Sequence, residues 1–353
     1  MSWRVWLLAL GGACLLAGLD AGLQLAGSWA PVVSADGGAR HGLVMVLGFM
    51  GTVIALERAQ ALRQAWAYLA PAVLGAGGIV LASGWVWLGT ALLTEGTLLL
   101  AAVYVGLWRR APLPLVAVQV LSAVLAFAAV ALTFALPTAD VVPLLIGFLV
   151  LTIAAERAEL AQLAMGARAV PRLVGLAVAL AGAVASSLVN AAWGARMLGV
   201  VLILVAAWLI ADDVPRRLLR RTGLQRFNAV ALLAGYCWLA VAGVTLVVAG
   251  LSPTSSAYDI AIHATFLGFG LSMILAHAPI IFPTVLARPL PYRALLWAPL
   301  LLLHTTLTVR VVGDLRGQGP VWLHGAQGTV VAVLLFVASA AYSTITARPK
   351  DRP

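Results

Sequence analysis

AYDIAIHATFLGFGLSMILAHAPIIFPTVLA, residues 257–287, is an apolar run long enough to cross a bilayer as a single helix, and it carries two histidines, His263 and His277. At about 1.5 Å of rise per residue the two stand about 21 Å apart along the axis. They therefore belong to different layers of the molecule. An earlier run, RHGLVMVLGFMGTVIALERAQAL (40–62), repeats part of the pattern with His41 near its start.

Composition places this run among many like it. With 63% hydrophobic and 10% charged residues and a mean hydropathy of +1.05, the chain does not read as a soluble domain. It reads as an all-α, polytopic membrane protein, one transmembrane domain over residues 1–353. Apolar runs of spanning length recur at 3–27, 41–62, 66–87, 90–108, 113–136, 141–164, 172–190, 195–211, 227–250, 260–286, 291–312 and 322–346. These are twelve expected helices. The first resembles a signal peptide, but it is too long, contains Asp20 and lacks a small-x-small cleavage site, so it is expected to stay as helix 1.

Basic residues set the orientation. With twelve spans, 18 of the 22 Arg and Lys residues fall on the side that holds both termini, among them Arg216, Arg217, Arg220, Arg221, Arg348, Lys350 and Arg352. Only Arg40, Arg196, Arg310 and Arg316 fall on the other side. By the positive-inside rule both termini are expected in the cytoplasm, in a bacterial-type inner membrane. The net charge of +10 then serves topology and contact with anionic lipid rather than nucleic acid. The two cysteines, Cys14 and Cys237, have no CxxC spacing and are expected to be buried packing.

An internal repeat appears when the even helices are overlaid. LGFMGTVIALERA (47–59), IGFLVLTIAAERA (146–158) and LGFGLSMILAHAP (267–279) share Gly-Phe, with Glu57, Glu156 or His277 nine residues after the glycine. CLLAGLDAGLQLAG (14–27) also matches CWLAVAGVTLVVAG (237–250). The simplest unit is four helices repeated three times in parallel orientation, over 1–110, 111–222 and 223–353, which gives a pseudo-threefold bundle.

The polar residues inside the spans then fall into two layers. Near the cytoplasmic side lie Glu57, Arg58, Glu156, Arg157, Glu159 and His277. Neighbours on a helix point about 100° apart, so Glu57 and Arg58 are expected to pair between helices rather than with each other. A ring of structural ion pairs is one reading and a proton path the other. Near the external side, His41, His263 and His324 open helices 2, 10 and 12, and His304 lies about 9 Å below Arg310 on helix 11. Asp36, Asp140, Asp259 and Asp314 flank them, with Asp20 and Glu95 deeper. Imidazole is a natural ligand for iron and copper, and Arg310 is suited to a carboxylate such as a haem propionate. Each histidine also has an ordinary reading. His41, His263 and His324 sit where a polar ring reaches the headgroups, and His304 is satisfied by Thr305, Thr308 or a backbone carbonyl. The tryptophans, for example Trp29, Trp66, Trp108, Trp297 and Trp322, read as interfacial belts.

Twelve helices in three repeats, with histidines at the external ends of helices 2 and 10, resemble subunit I of the haem–copper oxidases and, more closely, its smaller NnrS-like relatives. HGLVMVLGFMGTVIA (41–55) and IHATFLGFGLSMILAHAP (262–279) carry the resemblance, with LLLLHTTLTVRVVGDL (300–315) in support. That resemblance implies a haem- and copper-containing membrane protein linked to nitric oxide and nitrosative stress, with His41 and His263 as axial haem ligands. It also has departures. Helices 6 and 7 carry no histidine, His277 is too far from His263 to share its layer, and Ala39-Arg40-His41 stands where NnrS-like proteins often have His-x-His. A conventional oxygen-reducing centre is therefore not expected.

The expectation is a membrane haem protein whose cofactor is bound by His41 and His263, with Arg310 beside it and copper a second candidate at the cluster His41, His263, His304 and His324. Its partners would be the bilayer and a small gas such as nitric oxide, or an electron donor. The rival is a metal-free secondary transporter using Asp20, Glu95, Glu57, Glu156 and His277. A third reading is an assembly partner with no chemistry.

Overall fold

In hydrocarbon no water satisfies a bare peptide group, so an apolar run must close its hydrogen bonds within itself. A computed structural model describes residues 3–31, 37–286 and 288–347, and every regular element among them is helical. Asp36, Arg348, Lys350 and Arg352 lie outside the described residues. Twelve helices are long and apolar enough to cross a membrane: α1 Arg4–Leu25, α2 Arg40–Leu62, α3 Ala65–Ala82, α4 Val86–Arg110, α5 Pro114–Leu132, α6 Thr138–Leu160, α7 Ala169–Val189, α8 Ala191–Asp212, α9 Gly223–Ala249, α10 Ser256–Pro283, α11 Ala294–Leu315 and α12 Pro320–Ile345. The protein is thus a multi-pass, all-helical membrane protein. The tightest turn is a single residue: Asn190 separates α7 from α8 and caps the latter by accepting a hydrogen bond from the Trp193 amide at 3.1 Å.

The chain packs as two compact units, Met1–Ala155 and Glu156–Pro353, divided within α6. In the first, α1 packs on α2 and α3, α3 on α4, and α4 on α5. In the second, α7 packs on α8, α8 on α9, α9 on α10, and α11 on α12, with the start of α10 against α11. Three helices are set apart by burial. In α2, α6 and α10 the buried share of the apolar window is 78%, 83% and 67%, whereas α7 reaches only 28%. The three Gly-Phe segments therefore lie on inner helices.

In the first unit α1, α2 and α3 meet along bare backbone. A Cβ built on Gly78 of α3 would lie 2.6 Å from Cys14 Sγ of α1 and 2.7 Å from the Gly48 Cα of α2. Only glycine lets three helices approach so closely. The Cys14 thiol donates to the Gly75 carbonyl at 3.3 Å and is buried as expected. Cys237, expected to be buried, is exposed on α9 instead; periodicity assigns a helix but does not by itself say which face meets a neighbour.

Unbroken α-helix was expected in α2 and α10, and both contain an eight-residue π-helical segment, Val44–Gly51 and Ala264–Leu271. Each begins four residues before the glycine of its Gly-Phe pair and ends three after it. The matching stretch of α6, residues 143–150, stays α-helical and begins with Pro143. Such segments are rare and tend to occur at functional sites. This register also corrects the pairing of the histidines. His41 stands three residues before its π segment and His263 one residue before its own. The two occupy different positions of the pattern, about 200° apart around a helix.

The glycine seam predicts a sharp asymmetry between substitutions. Gly78→Val is expected to lower the thermal unfolding midpoint of the detergent-solubilised protein by an overpacking cost of about 1–3 kcal/mol. Gly175→Ala, whose Cβ would meet nothing within 4 Å, is expected to leave it unchanged or raise it slightly. Equal midpoints for the two would refute the seam.

Candidate functional site

The second unit carries a polar cluster near each end, and each is built by residues from several helices. At the arginine-poor end the hub is Asp259, in the first turn of α10. Arg310 of α11 donates to it through Nε and Nη2, each at 2.7 Å, a charge-assisted fork that fixes both side chains. The Trp322 indole of α12 donates to the same carboxylate at 3.2 Å, and its ring lies 5.0 Å from the Arg310 guanidinium carbon. His263, one turn further along α10, donates its Nδ1 proton to the Asp259 carbonyl at 2.8 Å and sits 3.2 Å from the carboxylate. A carbonyl only accepts, so the neutral ring carries its proton on Nδ1 and its lone pair on Nε2.

The turn joining α11 to α12 brings these groups together. Gly317, Gln318 and Gly319 take left-handed φ values of 84°, 69° and 87° in succession, a reversal suited to glycine and costly at Gln318. It presses α11 onto α12 until a Cβ on Gly313 would stand 2.4 Å from the Trp322 backbone. Asp314, four residues after Arg310 on the same helix face, is 3% exposed. Its carboxyl interacts with Asp259, while Oδ1 accepts from Gln318 at 3.2 Å.

Deeper in the unit, the Trp238 indole of α9 donates to His304 Nδ1 at 3.0 Å. His304 therefore carries its proton on Nε2, which is buried without a partner. Its ring partner is not Thr305, Thr308 or a carbonyl, as its own helix suggested; Thr308 instead bonds the His304 backbone carbonyl.

The arginine-rich end is organised by Asp213. Arg157 forks onto it with two bonds of 2.9 Å, the Tyr236 hydroxyl donates at 2.5 Å, and the Val214 amide donates at 2.7 Å. Arg157 also donates through Nη1 to His277 Nε2 at 3.1 Å, while His277 Nδ1 donates to the Met273 carbonyl at 2.8 Å. Arg157 and Asp213 are 7% and 2% exposed. Both ring nitrogens of His277 and the charge on Arg157 are thus satisfied without Glu57 or Glu156. Beside this group Arg172 pairs with Asp212. Sequence reasoning missed Asp213 and Tyr236. The available signals were paired carboxylates at the end of an apolar span, followed by arginines, and a tyrosine hydroxyl in mid-helix that must find a partner.

In the first unit His41 donates Nδ1–H to the Gly18 carbonyl at 2.7 Å, and its ring lies over Gly22, where a Cβ would be 3.0 Å from Cε1. The Gly18-x-x-x-Gly22 face of α1 accepts the ring because it has no side chains there. Gln24 donates to Asp20 at 2.7 Å. Glu57 and Arg58, expected to pair between helices, pair with each other at 2.7 Å. Glu95 is exposed on α4, and Glu156 lies at the start of the second unit.

His263 and His324, whose Nδ1 donates to the Pro320 carbonyl at 2.6 Å, offer the Nε2 lone pair that an axial haem ligand needs, with the carbonyl bond that holds the ring. His304 offers a proton at Nε2 and already uses Nδ1. Arg310 does not fit the role of propionate partner, because Asp259 occupies its fork. Neither His263 nor His324 opens its helix: each lies at least one turn inside. Trp297 and Trp322, expected in interfacial belts, are half-buried and bonded to Tyr292 and Asp259. Among the described residues no group of three or more His, Cys, Asp or Glu side chains is arranged to hold a metal ion.

A multi-pass membrane protein with two bonded polar layers in its second unit is the class these observations define. Residues 4–345 match a family described as a domain of unknown function, DUF8744, and the chain belongs to that family. No curated protein and no solved structure matches the chain.

The Asp213 hub predicts a graded loss. Asp213→Asn leaves Arg157 buried without a counter-charge and is expected to cost about 3–5 kcal/mol. Tyr236→Phe removes one bond to a charged group, about 1.5–3 kcal/mol. Thermal unfolding should rank Asp213→Asn well below Tyr236→Phe, and the reverse order would show that Asp213 is not the hub.

Proposed function

We propose that this chain is a haem-binding protein of a bacterial-type cytoplasmic membrane, resembling the NnrS-like relatives of the haem–copper oxidases, with His263 as an axial ligand. The observation that carries the reading is the His263 ring. Its Nδ1 proton is tied to the Asp259 carbonyl, its Nε2 bears the lone pair, and it stands one residue before a π-helical segment. His41 has the same tautomer in the first unit, held by Gly18. A haem with one protein ligand supplies an iron open to a gas such as nitric oxide, and one with two supplies an electron carrier. The residues of this chain orient the ligand ring, hold its tautomer and seal the polar groups around it. Asp259 does the first two through His263, and Arg310 and Trp322 hold Asp259 in turn.

The finer architecture belongs to the same proposal: three parallel four-helix repeats over 1–110, 111–222 and 223–353. It is supported by the burial of α2, α6 and α10, the second helix of each repeat. The matched register of the π segments in α2 and α10 supports it too.

The purified protein from haem-replete cells is expected to show a Soret band, and His263→Ala to lose at least half of its intensity while keeping its unfolding midpoint. A colourless preparation, or an unchanged band in His263→Ala, would reject the reading; colourless protein would favour the metal-free transporter. For orientation, in a background lacking Cys237, a cysteine at Arg220 is expected to react with an impermeant maleimide only from the cytoplasmic side. One at Gly317 should react only from outside, and the opposite pattern would invert the topology.

A further inference from the structure

The segment joining α8 to α9, DDVPRRLLRRTG (212–223), carries four arginines within six residues, Arg216, Arg217, Arg220 and Arg221. All four are exposed, as are Arg168 just before α7 and Arg226 in the first turn of α9. The two carboxylates of the segment are already used. Asp213 is bonded by Arg157 and Tyr236, and Asp212 pairs with Arg172. None of the four arginines forms an ion pair among the described residues. Arg216 donates to the Ala211 carbonyl at 3.0 Å, where α8 ends.

The segment is a fixed ledge rather than a loose loop. Its start is tied to the quartet, because Asp213 accepts from the Val214 amide at 2.7 Å. Pro215 is buried, a helical turn runs over Pro215–Leu218, and Leu219 keeps helical dihedrals of −57° and −33°. The Arg221 amide then donates to the Leu218 carbonyl at 3.0 Å. Its far end is held by Phe227, fully buried, with its ring 5.5 Å from Trp297 and 5.9 Å from Tyr292. Between the two arginine pairs Leu219 is exposed. A basic run after a span also serves to orient insertion, but that role needs a count of charges and neither a fixed ledge nor an exposed leucine. Uncompensated guanidiniums crowded on one turn repel one another, and an external anion relieves this. The ledge follows directly on the apolar span of α8, which ends at Asp212, so it stands at headgroup depth. Phosphate matches the guanidinium fork. Leu219 suits a molecule that brings an acyl chain together with its phosphate.

We propose that this ledge is a binding site for an anionic phospholipid, with the headgroup phosphate held by Arg216, Arg217, Arg220 and Arg221 and an acyl chain lying against Leu219. The lipid secures the same segment that Asp213 ties to the quartet from within. The site does not depend on haem, or on the side of the membrane to which the arginine-rich end is turned.

The test is native mass spectrometry of the full-length protein in detergent, titrated with phosphatidylglycerol or with zwitterionic phosphatidylcholine. The first phosphatidylglycerol is expected to bind about tenfold more tightly than the first phosphatidylcholine, a preference within reach of a few arginines at the surface. Replacing all four arginines with glutamine should abolish the preference. Arg63→Gln combined with Arg109→Gln, at exposed positions in the first unit, should keep it. If the fourfold variant is not recovered folded, Arg220→Gln combined with Arg221→Gln should lower the preference about threefold. Glycerol phosphate, which carries the phosphate without acyl chains, should not displace the bound lipid at equal ionic strength. Equal binding of the two lipids by the wild type, or a preference unchanged in the arginine variants, would overturn the proposal. So would displacement by glycerol phosphate, which would mark a site for a soluble phosphate instead.

Discussion

Arg157 and Asp213 are the ion pair on which the arginine-rich end of the second unit depends. Removing two charges from water costs several kcal/mol each, and their attraction offsets this only when the remaining protons and lone pairs are also bonded. Here they are. Asp213 accepts from Arg157, Tyr236 and the Val214 amide, and Arg157 also serves His277. One carboxylate thus fixes the end of α6, the start of the segment after α8, the middle of α9 and the inner part of α10. Of the residues expected in that layer, Arg157 and His277 belong to a quartet centred on an aspartate.

The other end obeys the same rule with a different result. Asp259 gathers Arg310, Trp322 and His263, so three helices meet at a charge neutralised within the protein. The arginine that looked available to a cofactor carboxylate is used by the chain's own. The histidine gains from this arrangement, because a ring whose Nδ1 is held by a carbonyl presents its Nε2 in a set direction. Packing and chemistry are therefore linked here: the left-handed turn at Gly317–Gly319 brings Trp322 to Asp259, and Asp259 orients His263.

In the first unit the helices approach through glycine. Gly48 and Gly78 let α2 and α3 close onto Cys14 of α1, and Gly18 and Gly22 leave room for Met45 and His41. In lipid there is little hydrophobic drive for helices to associate, so close backbone approach is a main source of cohesion. The π segments of α2 and α10 fall within the same glycine-bearing stretches. The two segments keep the same register about their glycines, so His41 and His263, three residues and one residue before them, take different positions in an otherwise matched pattern.

Amino-acid composition and the length of the apolar runs determined the membrane class, the helix count and most helix limits, because the bilayer imposes both length and self-satisfied backbone on any span. The sequence also singled out His41, His263, His277, His304, Arg157 and Arg310, since a polar residue in an apolar run is conspicuous. It could not say whom each would meet. Asp213, Tyr236 and Trp238 were not singled out at all, and Glu57 with Arg58 read as neighbours facing apart. Partners were decided by tertiary structure alone, because a buried charge takes whichever complementary group packing brings within about 3 Å. That distance depends on helix rotation, π register and turn geometry, none of which a hydropathy pattern records.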